Sequence, residues 1–121
     1  MNTAYFWVVL GGALGSMARF GLTAAITAVT GPTFPWATLF INVTGSFAIG
    51  LFASFTTGSL HLPYDIAAFL MVGICGGFTT FSSFTLQTFE LAQSGELLKA
   101  GTYILLSVAL CLGFVRIGIM F

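Results

Sequence analysis

Apolar residues occupy four long runs of the chain, and polar or helix-breaking residues gather in three short interruptions between them. A spanning helix needs roughly 20 mostly apolar residues, and each run is long enough. The first covers about residues 4–29 and stops before "TGPTFP", where Gly31, Pro32 and Pro35 end a helix. The second covers about 36–55 and ends in "TTGSLHLPYD", which holds Pro63, Asp65 and the lone His61. The third covers about 66–91, and "AQSGE" separates it from the fourth, about 97–120. A transmembrane barrel would alternate in segments of about ten residues. These runs are continuous and rich in Gly, Ala, Leu and Phe, so the expectation is an all-α membrane protein, one four-helix domain over residues 1–121.

Composition sharpens this picture. Of the 121 residues, 58% are hydrophobic and 5% charged, against about 25% charged in a soluble domain. The six charges are Arg19, Asp65, Glu90, Glu96, Lys99 and Arg116, balanced to a net charge of zero. No basic patch points to nucleic acid or a lipid headgroup surface. Met1 to Leu10 carries no Lys or Arg, so the first run reads as a retained helix and not as a cleaved leader. Cys75 and Cys111 are isolated and lie in no CxxC or Cys/His spacing, which supports packing and neither a disulfide nor zinc. No Ser/His, Cys/His or metal-ligand constellation suggests an enzyme.

Orientation is normally set by Lys and Arg near helix ends. Outside Arg19, the chain has Arg116 toward the end shared with the termini and Lys99 toward the other. A chain with one positive charge on each side can insert either way up and pair antiparallel with itself. Four short helices also enclose little volume alone, so a pore favours an oligomer. Gly11 with Gly15, Gly12 with Ser16, and Gly73 with Gly77 give the small-xxx-small spacing of close helix contacts.

The third run contains "GICGGFTTFSSF", Gly73 to Phe84, an unusual density of glycines and hydroxyls for a membrane helix. Gly76 and Gly77 each lower helix propensity by roughly 1 kcal/mol relative to alanine, and the β-branched Thr79 and Thr80 follow, so the third helix is expected to break here. Non-helical backbone at membrane depth persists only where it is buried in protein or lines a wet cavity. Its freed carbonyls, with hydroxyls, are ligands for a hard cation such as sodium; repeated across an antiparallel two-fold axis, two carbonyls become four. Phe78, Phe81 and Phe84 recur at i+3, with Ser82, Ser83 and Thr85 among them. They either face lipid or offer positive ring edges to an anion.

Three further polar positions stand inside apolar runs. Arg19 lies within the first span, where insertion costs roughly 2.5–3.5 kcal/mol; its partners would be backbone carbonyls, a wet vestibule or an anion, unless it snorkels to the interface. Asn42, within "TLFINVTGSF", either bonds helix to helix or donates to an ion. Tyr103, Ser107 and Cys111 follow one another at i+4 and share a helical face, a line of donors suited to an anion pathway.

With these residues in hand, the sequence resembles the Fluc (CrcB) family of bacterial fluoride channels over nearly its whole length. "GGALGSMARFGL" is similar to the family's first-helix Gly/Arg motif, "TLFINVTGSF" to TLxVNxxG, and "GGFTTFSSF" to GGxTTFSTF, the most specific of the three. The resemblance implies a multi-pass protein of the bacterial inner membrane, an antiparallel, dual-topology homodimer with two fluoride pores. It further implies a central structural sodium on the carbonyls of Gly76 and Thr79. It assigns Phe81 and Phe84 as pore phenylalanines, Asn42 as pore amide, Thr80 and Ser83 as pore hydroxyls, Arg19 as vestibule arginine, and Tyr103 and Ser107 to a polar track. Ser83 stands for the usual threonine and Thr85 for serine, both keeping the hydroxyl. Gln87 replaces a glutamate found in several members, and Cys111 a second track serine. The implied activity is passive fluoride export. The rival readings are a small dual-topology multidrug exporter, which would use a glutamate in the first helix where this chain has Arg19, and a non-conducting assembly subunit.

Overall fold

The computed structural model describes residues 2–58 and 60–121. Its elements are α1 (Asn2–Thr30), α2 (Trp36–Thr57), α3 (residues 64–78), α4 (Phe81–Gln93) and α5 (Leu97–Ile119). Helices α3 and α4 together make one span, Tyr64–Gln93, so four helical segments are long and apolar enough to cross a membrane. The 29 residues of α1 extend for about 43 Å, past a hydrocarbon core of about 30 Å, which α1 can accommodate by tilting.

The breakers act where the sequence places them. Gly31 takes a left-handed φ of 81° and its N–H bonds to the Thr27 carbonyl, ending α1. Gly95, at φ 83°, ends α4 in the same way, with the Glu96 N–H returning to Leu91 O. A side chain at either φ would be strained. Pro63 leads into α3, whose first turn holds Asp65, the favourable helix end for an acid. Asp65 accepts from the Thr3 hydroxyl at 2.6 Å, joining the start of α3 to the start of α1. The exposed His61 sits in the loop before it, at φ 45°.

Two helix pairs build the interior: α1 lies along α3, and α2 along α5. Each pair closes on glycines. A Cβ added at Gly11 would meet Phe69 O and the Gly73 Cα, and one at Gly77 would meet Gly12 O at 2.6 Å. In the other pair, Gly50 abuts the Val115 carbonyl and Gly118 abuts Phe47. The small-residue spacings therefore serve backbone approach, the main source of attraction between helices in lipid. Gly77→Ala and Gly15→Ala are accordingly expected to lower the stability of the detergent-solubilised protein by about 1–3 kcal/mol, measured as loss of helical signal on heating.

Midway along α3, Ala68–Cys75 widens into a π-helical stretch before Gly76–Phe78 resumes the α-form. Such wide turns are frequent at functional sites. Among the described residues, Tyr103 and Ile41 are the largest fully buried side chains, whereas residues such as Phe20, Val29 and Leu98 are at least 79% exposed. That distribution suits lipid as the surrounding solvent, since lipid tails and leucine are equally apolar.

Candidate functional site

The third span breaks at Thr79 and Thr80, which are extended at φ −82°, ψ 158° and φ −150°, ψ 119°. Within the expected stretch from Gly76 to Thr80, the break falls after the glycine pair. Gly76 and Gly77 remain helical because Gly77 is needed against α1. Two devices hold the broken backbone. The Asn42 side chain from α2 pairs with Thr80 twice, Nδ2 donating to Thr80 O at 3.0 Å and Oδ1 accepting from Thr80 N at 2.8 Å. Thr80 also caps α4, its hydroxyl accepting from the Ser83 N–H at 3.1 Å.

Arg19 supplies a third contact. Its Nε donates to Gly77 O at 3.1 Å, so the partner of the half-buried guanidinium is a backbone carbonyl at the C-terminal end of α3. A cation there also suits the negative end of the helix dipole. Arg19→Ala is expected to cost about 1.5–3 kcal/mol, the range for hydrogen bonds to charged groups, read from thermal unfolding in detergent.

Beside the break lies a groove of about 420 Å³ between α2, α3, α4 and α5. Asn42, Thr80, Phe81, Phe84 and Ser107 line it, as do Gly76, Thr79 and Cys111, and no carboxylate or cation does. Of the proposed track, Ser107 and Cys111 face the groove, but Tyr103 does not line it. The Ser107 hydroxyl is buried with no hydrogen-bond partner among the described residues, an uncommon condition for a buried polar group. Phe81 and Phe84 stand with ring centroids 5.5 Å apart. Phe78 falls outside their stripe, because the break intervenes between Phe78 and Phe81 and resets the helical phase. Ser83 contributes its N–H to the Thr80 cap and does not line the groove.

Tyr103 is fully buried between Phe34 and Phe84, at centroid distances of 5.5 and 5.1 Å. Its hydroxyl donates to Gln87 Oε1 at 2.8 Å. Gln87 and Phe34 in turn line a second cavity of about 330 Å³, which opens beside the 31–35 loop with Glu90 and Ser94 in its wall. Phe34 was not legible as a site residue: its place between Pro32 and Pro35 marked only the end of a helix. Among the described residues no group of three or more His, Cys, Asp or Glu side chains could hold a metal ion.

A largely apolar groove at a helix break, carrying an amide and a few hydroxyls and free of charged side chains, fits a small membrane channel or transporter with four spans. The sequence profile of the family described as CrcB-like protein, Camphor Resistance (CrcB), matches residues 6–119. Similar proteins named "Fluoride-specific ion channel FluC" occur in Paramagnetospirillum magneticum, 54% identical over 94% of this chain and 91% of the relative, and in Methylocella silvestris, 49% identical over 94% and 88%. A third, in Rhodospirillum rubrum, is 50% identical over 94% and 90%. The chain belongs to the CrcB-like family, and it is a multi-pass bacterial membrane protein.

Proposed function

We propose that this protein is a fluoride-selective channel that lets fluoride leave the cell down its gradient and so limits its toxicity. The observation that carries the reading is the donor set of the carboxylate-free groove: a buried Ser107 hydroxyl with no partner among the described residues, in the same lining as Asn42 and the two phenylalanines. An Asn side-chain amide has two N–H bonds, and Thr80 O takes one, leaving one for an ion. The positive edges of Phe81 and Phe84 add attraction without a full charge, so that an anion can leave as well as enter. A small, strongly hydrated anion is exchanged from water to these donors, and larger halides fit poorly. Nothing in such conduction calls for catalytic chemistry.

The resident cation of this reading is sodium, on the carbonyls of Gly76 and Thr79. The local geometry supports those residues as ligands. The Thr80 N–H turns to Asn42 Oδ1, leaving Gly76 O without its helical donor, and the Ser83 N–H turns to the Thr80 hydroxyl, leaving Thr79 O without its own. Sodium, when bound, would satisfy the lone pairs of those carbonyls and fix the break.

The reading includes an antiparallel homodimer in the inner membrane. The even distribution of Arg116 and Lys99 and the exposure of Gly76 and Phe81 on the protomer support it. Reporter tags on the C-terminus should divide about evenly between the two sides of the membrane, and a single orientation would exclude dual topology. A multidrug-type exporter is disfavoured because the charge in α1 is Arg19 and not an acid. Expression in fluoride-hypersensitive bacteria should restore growth in fluoride; failure of well-expressed, membrane-inserted protein to do so would count against the function.

A further inference from the structure

Ser46 also lines the groove, one turn beyond Asn42 on the same face of α2, and it is half-buried. A hydroxyl inside a helix can bond back to a carbonyl of the preceding turn, and along α2 the hydroxyls of Thr44, Ser54, Thr56 and Thr57 all do so. The Ser46 hydroxyl makes no such bond among the described residues, a condition it shares with Ser107 of α5. Helices α2 and α5 run in the same direction, since Phe34, just before α2, packs on Tyr103, and Gly50, farther along, meets the Val115 carbonyl. One turn back from Gly50 and Val115 stand Ser46 and Cys111, and one turn further back stand Asn42 and Ser107. All four of these side chains line the groove, in two successive levels.

We propose that Ser46 is a further anion-binding residue of the groove, its hydroxyl donating to the ion at the level where α5 offers only the Cys111 thiol. A thiol is a weak donor and a hydroxyl a strong one. Four residues along a helix advance the path by about 6 Å, so an anion that leaves Asn42 and Ser107 is beyond their reach at the next level. Without a donor there it would stand unpaired in a largely apolar groove, a costly state for a charge. The Ser46 hydroxyl, free of its own backbone, supplies that donor and leaves the ion able to move on, because it carries no charge. This inference rests on the channel reading and adds a residue to it.

The test compares Ser46→Ala, Thr44→Ala and the double variant Ser46→Ala with Cys111→Ser, each full-length, checked by elution profile and thermal unfolding, and incorporated in planar bilayers. Fluoride current is recorded over a series of fluoride concentrations, and the half-saturating concentration is the readout. Ser46→Ala should raise it about tenfold, the low end of what a hydrogen bond to a charged group is worth, with unfolding unchanged. Thr44→Ala removes a hydroxyl already bonded to α2 carbonyls and outside the groove lining, and it should leave the half-saturating concentration within about twofold. In the double variant a hydroxyl returns at the same level from α5, and the concentration should fall back to within about threefold of the unmodified protein. A Ser46→Ala value equal to that of the unmodified protein overturns the role of Ser46 while leaving the channel intact, as does a shift that Cys111→Ser leaves unrelieved. Loss of folding or assembly in Ser46→Ala makes Ser46 a packing residue and overturns the role as well. If the unmodified protein itself carries no fluoride current, the channel reading fails and this role fails with it.

Discussion

Replacing Asn42 with alanine should abolish fluoride efflux and also lower stability by about 2–5 kcal/mol, because it leaves two backbone groups of Thr80 unpaired at membrane depth, each costing about 1–3 kcal/mol. Asn42 is the only side chain among the described residues that pairs with both the N–H and the C=O of the break. Its loss would remove the donor proposed for the ion and loosen the backbone that precedes Phe81. Asn42→Asp separates the two effects. It keeps the acceptor for the Thr80 N–H, loses the donor to Thr80 O, and places an acid in an anion path. It should therefore be milder than alanine in thermal unfolding and equally silent in efflux. An Asn42→Ala protein that conducts normally would show that the amide serves only as interhelical glue.

Phe81→Ile should have the opposite profile, with fluoride efflux lost and folding retained. Phe81 is 76% exposed on the protomer, so its replacement creates no cavity within the chain, and the stability of the protomer's own fold should change by no more than about 0.5 kcal/mol. The electron-poor ring edge, which isoleucine cannot supply, is the contact proposed for the ion, and the substitution removes it. Efflux and oligomeric state measured on the same sample decide the matter. Lost efflux with an intact assembly supports a pore phenylalanine, whereas dissociation of the assembly makes Phe81 a packing residue.

The elements of the fold that depend on local composition were legible in the sequence. Four apolar runs and their Gly/Pro interruptions correspond to the four spans, with ends displaced by a few residues. The glycine spacings in α1 and α3 foretold close approach: Gly11 meets Gly73, Gly15 meets the backbone of Ile74 and Phe78, and Gly77 meets Gly12 and Ser16. Features that depend on partners far apart in the chain were less accessible. Low helix propensity marked the stretch from Gly76 to Thr80 for the break, but its exact place depends on packing: Gly77 is held in helix against Gly12 of α1, and the extended residues are Thr79 and Thr80. Asn42 meets Thr80 across 38 positions, a pairing no local pattern encodes. Tyr103 shares a helical face with Ser107 and Cys111, yet its long side chain carries the hydroxyl away from the groove to Gln87. Arg19 could have met a carbonyl, water or an anion by its position alone. The close approach of α1 to α3 brings Gly77 O within its reach.

The central claim is selective conduction by this chain without another protein. Efflux from liposomes containing only this protein, followed with a fluoride electrode and repeated with chloride, tests it most directly. The account predicts rapid fluoride release and negligible chloride release. Comparable release of both anions, or of neither from protein shown to be folded, would contradict it.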